Sequence, residues 1–175
     1  MSIRISQLAA ISAIVFVAAM ASPARAMDVS FADAAWDGKT VPAGQQCQKF
    51  GGKSPGTPRF KISQIPSGTI EIVFEYSDRD YAPMDKGGHG IVAYKLSGPT
   101  TEVVVPSLPG HTFDLSSPFN GVKAHQAPGW DKAGAYLPPC SGGEGNNYYV
   151  TIKAVSTEGS EKKVLAENVI EMGKF

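Results

Sequence analysis

Thr69-Ile70-Glu71-Ile72-Val73-Phe74-Glu75-Tyr76 is the stretch on which the fold class turns. Ile70, Ile72, Phe74 and Tyr76 share one parity, while Glu71 and Glu75 flank Val73 on the other. Successive side chains of a strand point to opposite faces, so a period of two with one apolar side predicts a half-buried β-strand. Ile65-Pro66-Ser67-Gly68 ahead of it is a turn signal that sets its start.

Outward from this strand the pattern recurs. Gly90–Leu96 and Thr101–Val105 read as strands joined through Ser97-Gly98-Pro99. In Tyr148–Val155, the residues Tyr148, Val150, Ile152 and Ala154 alternate with Tyr149, Thr151 and Lys153. Val164–Met172 reads as a fifth strand, turned back through Thr157-Glu158-Gly159-Ser160, or else as a short helix, because Leu165, Ala166 and Glu167 favour one. Recurrent strands without helical periodicity predict a mostly antiparallel β domain with long loops and little helix. Residues 77–89 and 106–147 fall outside the strands, and the second stretch holds six prolines and no strand-like run. Irregular segments of that length in a compact domain are often functional.

The 175 residues, 42% hydrophobic and 18% charged, suit one globular domain. Sixteen basic against 16 acidic residues exclude the basic excess of a nucleic-acid binder. Residues 1–26 read as a signal peptide: Arg4, an apolar run from Leu8 to Met20, and Ala24-Arg25-Ala26 at the cleavage site. The run falls short of the ~20 residues that span a bilayer. No stable membrane insertion is therefore expected, and residues 27–175 are expected to form a single periplasmic or secreted domain. Removing Arg4 and Arg25 leaves 14 basic and 16 acidic residues. Cys47 and Cys140, in an oxidising compartment, are expected to form a disulfide; two free thiols or a metal pair are the alternatives, without a C-x-x-C spacing behind them.

Two constellations could carry chemistry. Asp78 and Asp80 leave one strand and His89 enters the next. If those strands are neighbours, a carboxylate meets an imidazole at one sheet edge, fixes its tautomer, raises its pKa and makes it an N–H donor for an anion. The plainer alternative has the aspartates capping turns and His89 ending a strand, and Asp with His also suits zinc. His89, His111 and His125, however, share no motif spacing. The second constellation runs from Gly134-Ala135-Tyr136-Leu137-Pro138-Pro139-Cys140 through a Gly-rich turn to Asn146 and Asn147. It could make a stiff wall followed by free backbone N–H groups, or simply a stapled loop. There is no H-E-x-x-H, P-loop or dinucleotide fingerprint, and no serine has a recognisable base at motif spacing, so neither an enzyme nor a cofactor is expected.

In this order the segments resemble the phosphatidylethanolamine-binding protein family, in its bacterial Raf-kinase-inhibitor-like branch. Asp37-Gly38-Lys39-Thr40-Val41-Pro42 with Cys47 resembles the family's opening D-G-x-x-I-P…C stretch, and Ile65-Pro66-Ser67-Gly68-Thr69 its V-P-x-G-T. Asp78-Arg79-Asp80-Tyr81-Ala82-Pro83 is similar to D-P-D-A-P with one extra residue. His89-Gly90-Ile91-Val92-Ala93-Tyr94 is similar to H-W-V-x-Y, and Tyr136-Leu137-Pro138-Pro139-Cys140 to G-x-P-C-P-P. The resemblance implies a large antiparallel sheet with a small anion pocket, lined here by Asp78, Asp80, His89, Tyr136, Pro138 and Asn146. Three departures stand out. Gly90 replaces an aromatic wall, Asn146 or Asn147 replaces a second pocket histidine, and the family's C-terminal helix is shortened to Val164–Phe175. An amide donates a hydrogen bond without charge, so anion affinity should fall.

The expected function is non-catalytic binding of a small anion or phospho-head group by an exported protein. The alternative is a protein-interaction module that inhibits a kinase or protease through the pocket-rim loops, with Trp130 as a possible anchor.

Overall fold

The strand built around Phe74 runs from Glu71 to Asp78 (β3), two residues later than the alternation alone predicts. A computed structural model of the chain describes residues 27–175, and the signal-peptide assignment to residues 1–26 lies outside the described residues. Ile70 is exposed because the chain is still leaving its turn, in which both the Thr69 N–H and hydroxyl donate to the Pro66 carbonyl. The later boundary puts Asp78 inside the strand rather than in the loop after it.

β3 is the middle of a five-stranded antiparallel sheet. Its neighbours are Gly90–Lys95 (β4) on one side and Asn147–Glu158 (β7) on the other. Phe119–Lys123 (β6) lies outside β4, and Glu161–Lys174 (β8) outside β7. A second antiparallel sheet has Phe60–Ser63 (β2) between Asp28–Phe31 (β1) and Glu102–Val105 (β5). Ile72, Phe74 and Tyr76 of β3, with Val92 of β4 and Val150 and Ile152 of β7, share one apolar cluster with Phe60, Ile62 and Val105 of the smaller sheet. The Phe60 and Phe74 rings stack across it with centroids 5.4 Å apart. Two sheets closing on one core in this way form a sandwich, and each alternating strand contributes its inward row. Among the described residues no helix is long and apolar enough to cross a membrane; helix is confined to two short 3-10 turns, Gln48–Phe50 and Ala82–Met84.

The structure corrects two expectations, the lack of a strand in residues 106–147 and the shortened C-terminal helix. Residues 106–147 do contain a strand, β6, hidden because its Phe-Asn-Gly-Val-Lys sequence buries only Phe119. Val164–Met172 lies within β8, as its reading as a fifth strand expects and against the helical alternative, and among the described residues no C-terminal helix follows it. β8 pairs with β7 along its whole length, from Glu158 opposite Glu161 to Asn147 opposite Lys174, with two bulges. A partner of that length overrides the modest helix propensity of Leu165-Ala166-Glu167. The short strands β1 and β2 went unread because four residues carry too little periodicity.

Cys47 and Cys140 are joined in a disulfide with Cα atoms 5.2 Å apart, and the Cys47 N–H donates to the Pro139 carbonyl at 2.9 Å. The bridge closes a span of 93 residues and, with Met84 and Leu137, forms a second small core. It fixes the segment before β7 against the turn at Gln48–Phe50. Removing this cross-link by C47A/C140A should lower unfolding free energy by up to about 4–5 kcal/mol through the larger entropy of the open denatured chain. Urea unfolding of the double variant tests this; an unchanged midpoint contradicts it.

Candidate functional site

The inward row of β3 does not stop at the core. Ile72, Phe74 and Tyr76 lead on to Asp78, and opposite it the inward row of β7 begins with Tyr148. A carboxylate only 3% exposed must find hydrogen-bond donors. Oδ1 of Asp78 accepts from the backbone N–H of Asp80 at 2.9 Å, and Oδ2 from the side-chain amide of Asn146 at 2.7 Å. Asp80 is exposed and accepts both the backbone N–H of Asn147, at 2.6 Å, and its side-chain amide, at 2.8 Å. Those bonds hold the Asp80 carboxyl below its usual range. The two aspartates thus tie the 79–89 loop to the start of β7.

His89 is also only 3% exposed and is gripped by main chain. The Leu137 N–H donates to the His89 carbonyl at 2.9 Å, and His89 Nδ1 lies 2.8 Å from the Leu137 carbonyl. A carbonyl only accepts, so Nδ1 carries the proton and Nε2 presents a lone pair. Burial pulls the imidazole pKa down to about 4, against the opposing pull of the Leu137 carbonyl and of Asp78. The ring stands edge-on to Tyr148, with centroids 5.2 Å apart. Burial, aided by the nearby Asp78 charge, likewise pushes the Tyr148 hydroxyl up to about 12; that hydroxyl accepts the Cys140 N–H at 3.0 Å.

The orienting group is therefore the Leu137 carbonyl and not Asp78 or Asp80, and the imidazole is neutral rather than a strengthened donor. Gly90 explains the arrangement. Its φ is +120°, and a Cβ there would sit 2.0 Å from the Ala135 carbonyl oxygen. The position at which the resemblance expects an aromatic residue is filled by the backbone of residues 135–137 passing alongside β4.

Above these groups lies a recess of about 570 Å³. It gathers Asp78, Asp80, His89 and Asn146 from segments remote in sequence. Tyr136 and Pro138 are not among its lining residues. In the extended 134–140 segment Leu137 and Cys140 face the recess, whereas Tyr136 turns into the core with its ring 4.6 Å from that of Tyr76. Pro138 packs against Gly110, where a Cβ would meet its ring at 2.5 Å. Met84 and Leu137 form apolar wall, and Phe50, Tyr81 and Trp130 stand among the remaining lining residues. Trp130 is 48% exposed; its indole N–H donates to the Cys140 carbonyl at 3.0 Å, and the Lys49 ammonium lies 3.3 Å from its ring centroid.

Three charged side chains line the recess, Asp78, Asp80 and Glu144, and all are acidic. Asn146, at the expected place of a second histidine, turns its amide to Asp78. Tyr148, Leu137 and Glu144 were not singled out from sequence. The inward alternation of β7 could have flagged Tyr148, but nothing local distinguishes Leu137 from Pro138 as the wall residue. Cys47, Asp131 and Cys140 place potential ligand atoms within 4.8 Å of one another, but both sulfurs are in the disulfide and are not thiolates. A more open depression at Ala32–Trp36 and Arg59 has its one acid, Asp33, already paired with Arg59 at 2.6 Å.

Comparison with known proteins gives little beyond the chain's course. No protein-family model matches the chain, and no curated protein does. A solved chain from Chlamydia trachomatis, assigned as a phosphatidylethanolamine-binding protein homologue, is similar to it with 19% sequence identity and a TM-score of 0.48, covering 86% of this chain and 97% of that one. This likeness identifies neither a ligand nor an activity.

The buried imidazole has a consequence for stability. The unfolded chain takes up a proton near 6.5, whereas folded His89 resists it until about pH 4. Its contribution is complete above about pH 6.5 and is lost as pH falls toward 4, amounting to about 3 kcal/mol over that window. His125, also lowered by burial, acts in the same direction. Urea midpoints measured from pH 7 to pH 4.5 should fall steeply in the wild type and less steeply in His89→Gln; superimposable slopes would contradict the assignment.

Proposed function

We propose that the chain is a divergent member of the phosphatidylethanolamine-binding protein family, an exported, non-catalytic binding protein whose recess takes the polar head group of a small molecule. One observation carries this reading: Asp78, His89, Asn146 and Tyr148 converge on a single recess behind a disulfide-stapled wall. Recesses with a few convergent polar groups on apolar walls are where proteins hold small ligands. The family placement is supported by the order of the motif-like segments along the chain, and export by the Arg4-to-Ala26 leader pattern and the disulfide.

The absence of catalysis is supported by how the reactive groups are engaged. Ser141 donates its hydroxyl to the Phe175 carbonyl, Cys140 is bonded to Cys47, and the protonated nitrogen of His89 faces a carbonyl. None of these pairs a nucleophile with a base. The alternative, a protein-interaction module, draws on Trp130, whose half-exposed ring stands in the wall of the recess. Its position would make the same recess part of any such surface.

Phosphoethanolamine, which has both an anionic and a cationic end, is the probe for head-group binding. In a 15N-correlation NMR titration at pH 7, millimolar probe should shift amides of residues 78–81, 89–90 and 140–147 saturably and leave the β8 hairpin unmoved. No shift at those positions up to tens of millimolar would remove the proposal. If a protein captured from the export compartment is instead lost on Trp130→Ala while phosphoethanolamine shifts nothing, the interaction-module alternative takes its place.

A further inference from the structure

We infer that the floor of the recess is built to accept a primary ammonium group, so that the ligand is an amine-bearing molecule entering cation first. This rests on the reading of the recess as a ligand site and specifies which end of the ligand the protein holds. Two independent observations point the same way.

The first is the charge of the lining. Buried Asp78 and the exposed Asp80 and Glu144 line it, with no lysine or arginine among the lining residues. The nearest cations are otherwise engaged. The Lys49 ammonium sits on the Trp130 ring and donates to the Trp130 carbonyl at 3.2 Å, and Arg79 is paired with Glu171. Lys174 is within electrostatic reach of Asp80 without lining the recess. Glu144 forms no ion pair among the described residues, and it is exposed, so its charge is available to an entering cation.

The second is the acceptor at Nε2 of His89. The ring is almost wholly buried and lines the recess; its Nδ1 is committed to Leu137, and Nε2 has no hydrogen-bond partner among the described residues. An anion meeting this edge would face a lone pair, with the Asp78 carboxylate close enough to act on the same ring. A primary ammonium reverses the sign of each contact. It brings three N–H donors, and Asp78 retains free lone pairs beyond the bonds from Asp80 and Asn146. Tyr81 and Trp130 also line the recess, and the Trp130 ring holds an ammonium, that of Lys49, in the manner expected of an aromatic face. A quaternary ammonium would share the charge attraction but bring no donor for Nε2 or for Asp78, which favours the primary amine.

The test separates the two ends of the head group. Full-length mature protein is titrated at pH 7 with ethylammonium chloride, tetramethylammonium chloride, sodium acetate and inorganic phosphate, following the same amides by NMR. Ethylammonium should bind at millimolar concentration, at least ten times more tightly than each of the other three. Glu144→Gln, an exposed change that should leave the fold intact, should weaken ethylammonium several-fold, and His89→Phe more than tenfold if it folds. Binding of phosphate or acetate in preference to ethylammonium overturns this inference and leaves the recess as a ligand site. Equal binding of the two cations, unaffected by Glu144→Gln, also overturns it. Shifts with phosphoethanolamine but with neither ethylammonium nor tetramethylammonium sink the cation-first orientation alone, whereas silence from every probe sinks the head-group proposal with it.

Discussion

The main-chain clasp between Leu137 and His89 is the constraint on which the rest of the site depends. One pair of hydrogen bonds joins a proline-rich segment to the first residue before β4 and sets the imidazole tautomer in the same act. It is possible only because Gly90 has no side chain: any Cβ there would collide with the Ala135 carbonyl. The disulfide secures the other end of the segment, where Cys140 meets Cys47. Between these fixed points the chain is extended and alternates, giving Leu137 to the recess and Tyr136 to the core. A wall held by covalent and main-chain contacts needs little help from its own side chains, and it can border a cavity without collapsing into it.

The central sheet supplies the other half. An inward row that is apolar from Ile72 to Tyr76 ends in Asp78, and the facing row of β7 ends in Tyr148. The strand pair thereby delivers polar groups to the edge of the core in fixed register, each too deep to be solvated by bulk water. Burial then decides their chemistry. Asp78 retains its environment through donors from Asp80 and Asn146, whereas His89, given an acceptor instead, is held neutral. The same low exposure that makes the imidazole a poor proton acceptor from solvent leaves its free nitrogen a well-placed acceptor for a ligand.

How much of this could be read beforehand follows from the range of the interactions involved. Strands β3, β4, β5 and β7 are legible because alternation is local, and the Cys47–Cys140 pair because only two cysteines exist in a chain with an export leader pattern. Asp78, Asp80, His89 and Asn146 could be nominated because they flank strand ends, which neighbouring strands bring to one sheet edge. β6 and β8 were hidden or ambiguous because edge strands with exposed faces carry no hydrophobic period. The identity of the group that orients His89 was not legible at all. It is a backbone carbonyl 48 residues away, and every residue type has one. Sequence therefore pointed to the carboxylate, the only orienting group that it could see.

That substitution of a carbonyl for a carboxylate inverts the electrostatic logic of the recess. A carboxylate bound to Nδ1 would stabilise an imidazolium and give the site a positive centre, as the anion expectation requires. A carbonyl is a weaker partner, and burial outweighs it, so His89 is uncharged and the aspartates are left without a compensating charge in the lining. Overall composition conceals this, since the 16 basic and 16 acidic residues of the chain cancel. The local balance does not cancel: Lys49 is turned to Trp130 and Arg79 to Glu171, Lys174 acts on Asp80 from outside the lining, and the three charged side chains that line the recess are acidic. The choice of hydrogen-bond partner at one buried imidazole thus decides whether the recess meets an incoming group with a charged donor or with a lone pair.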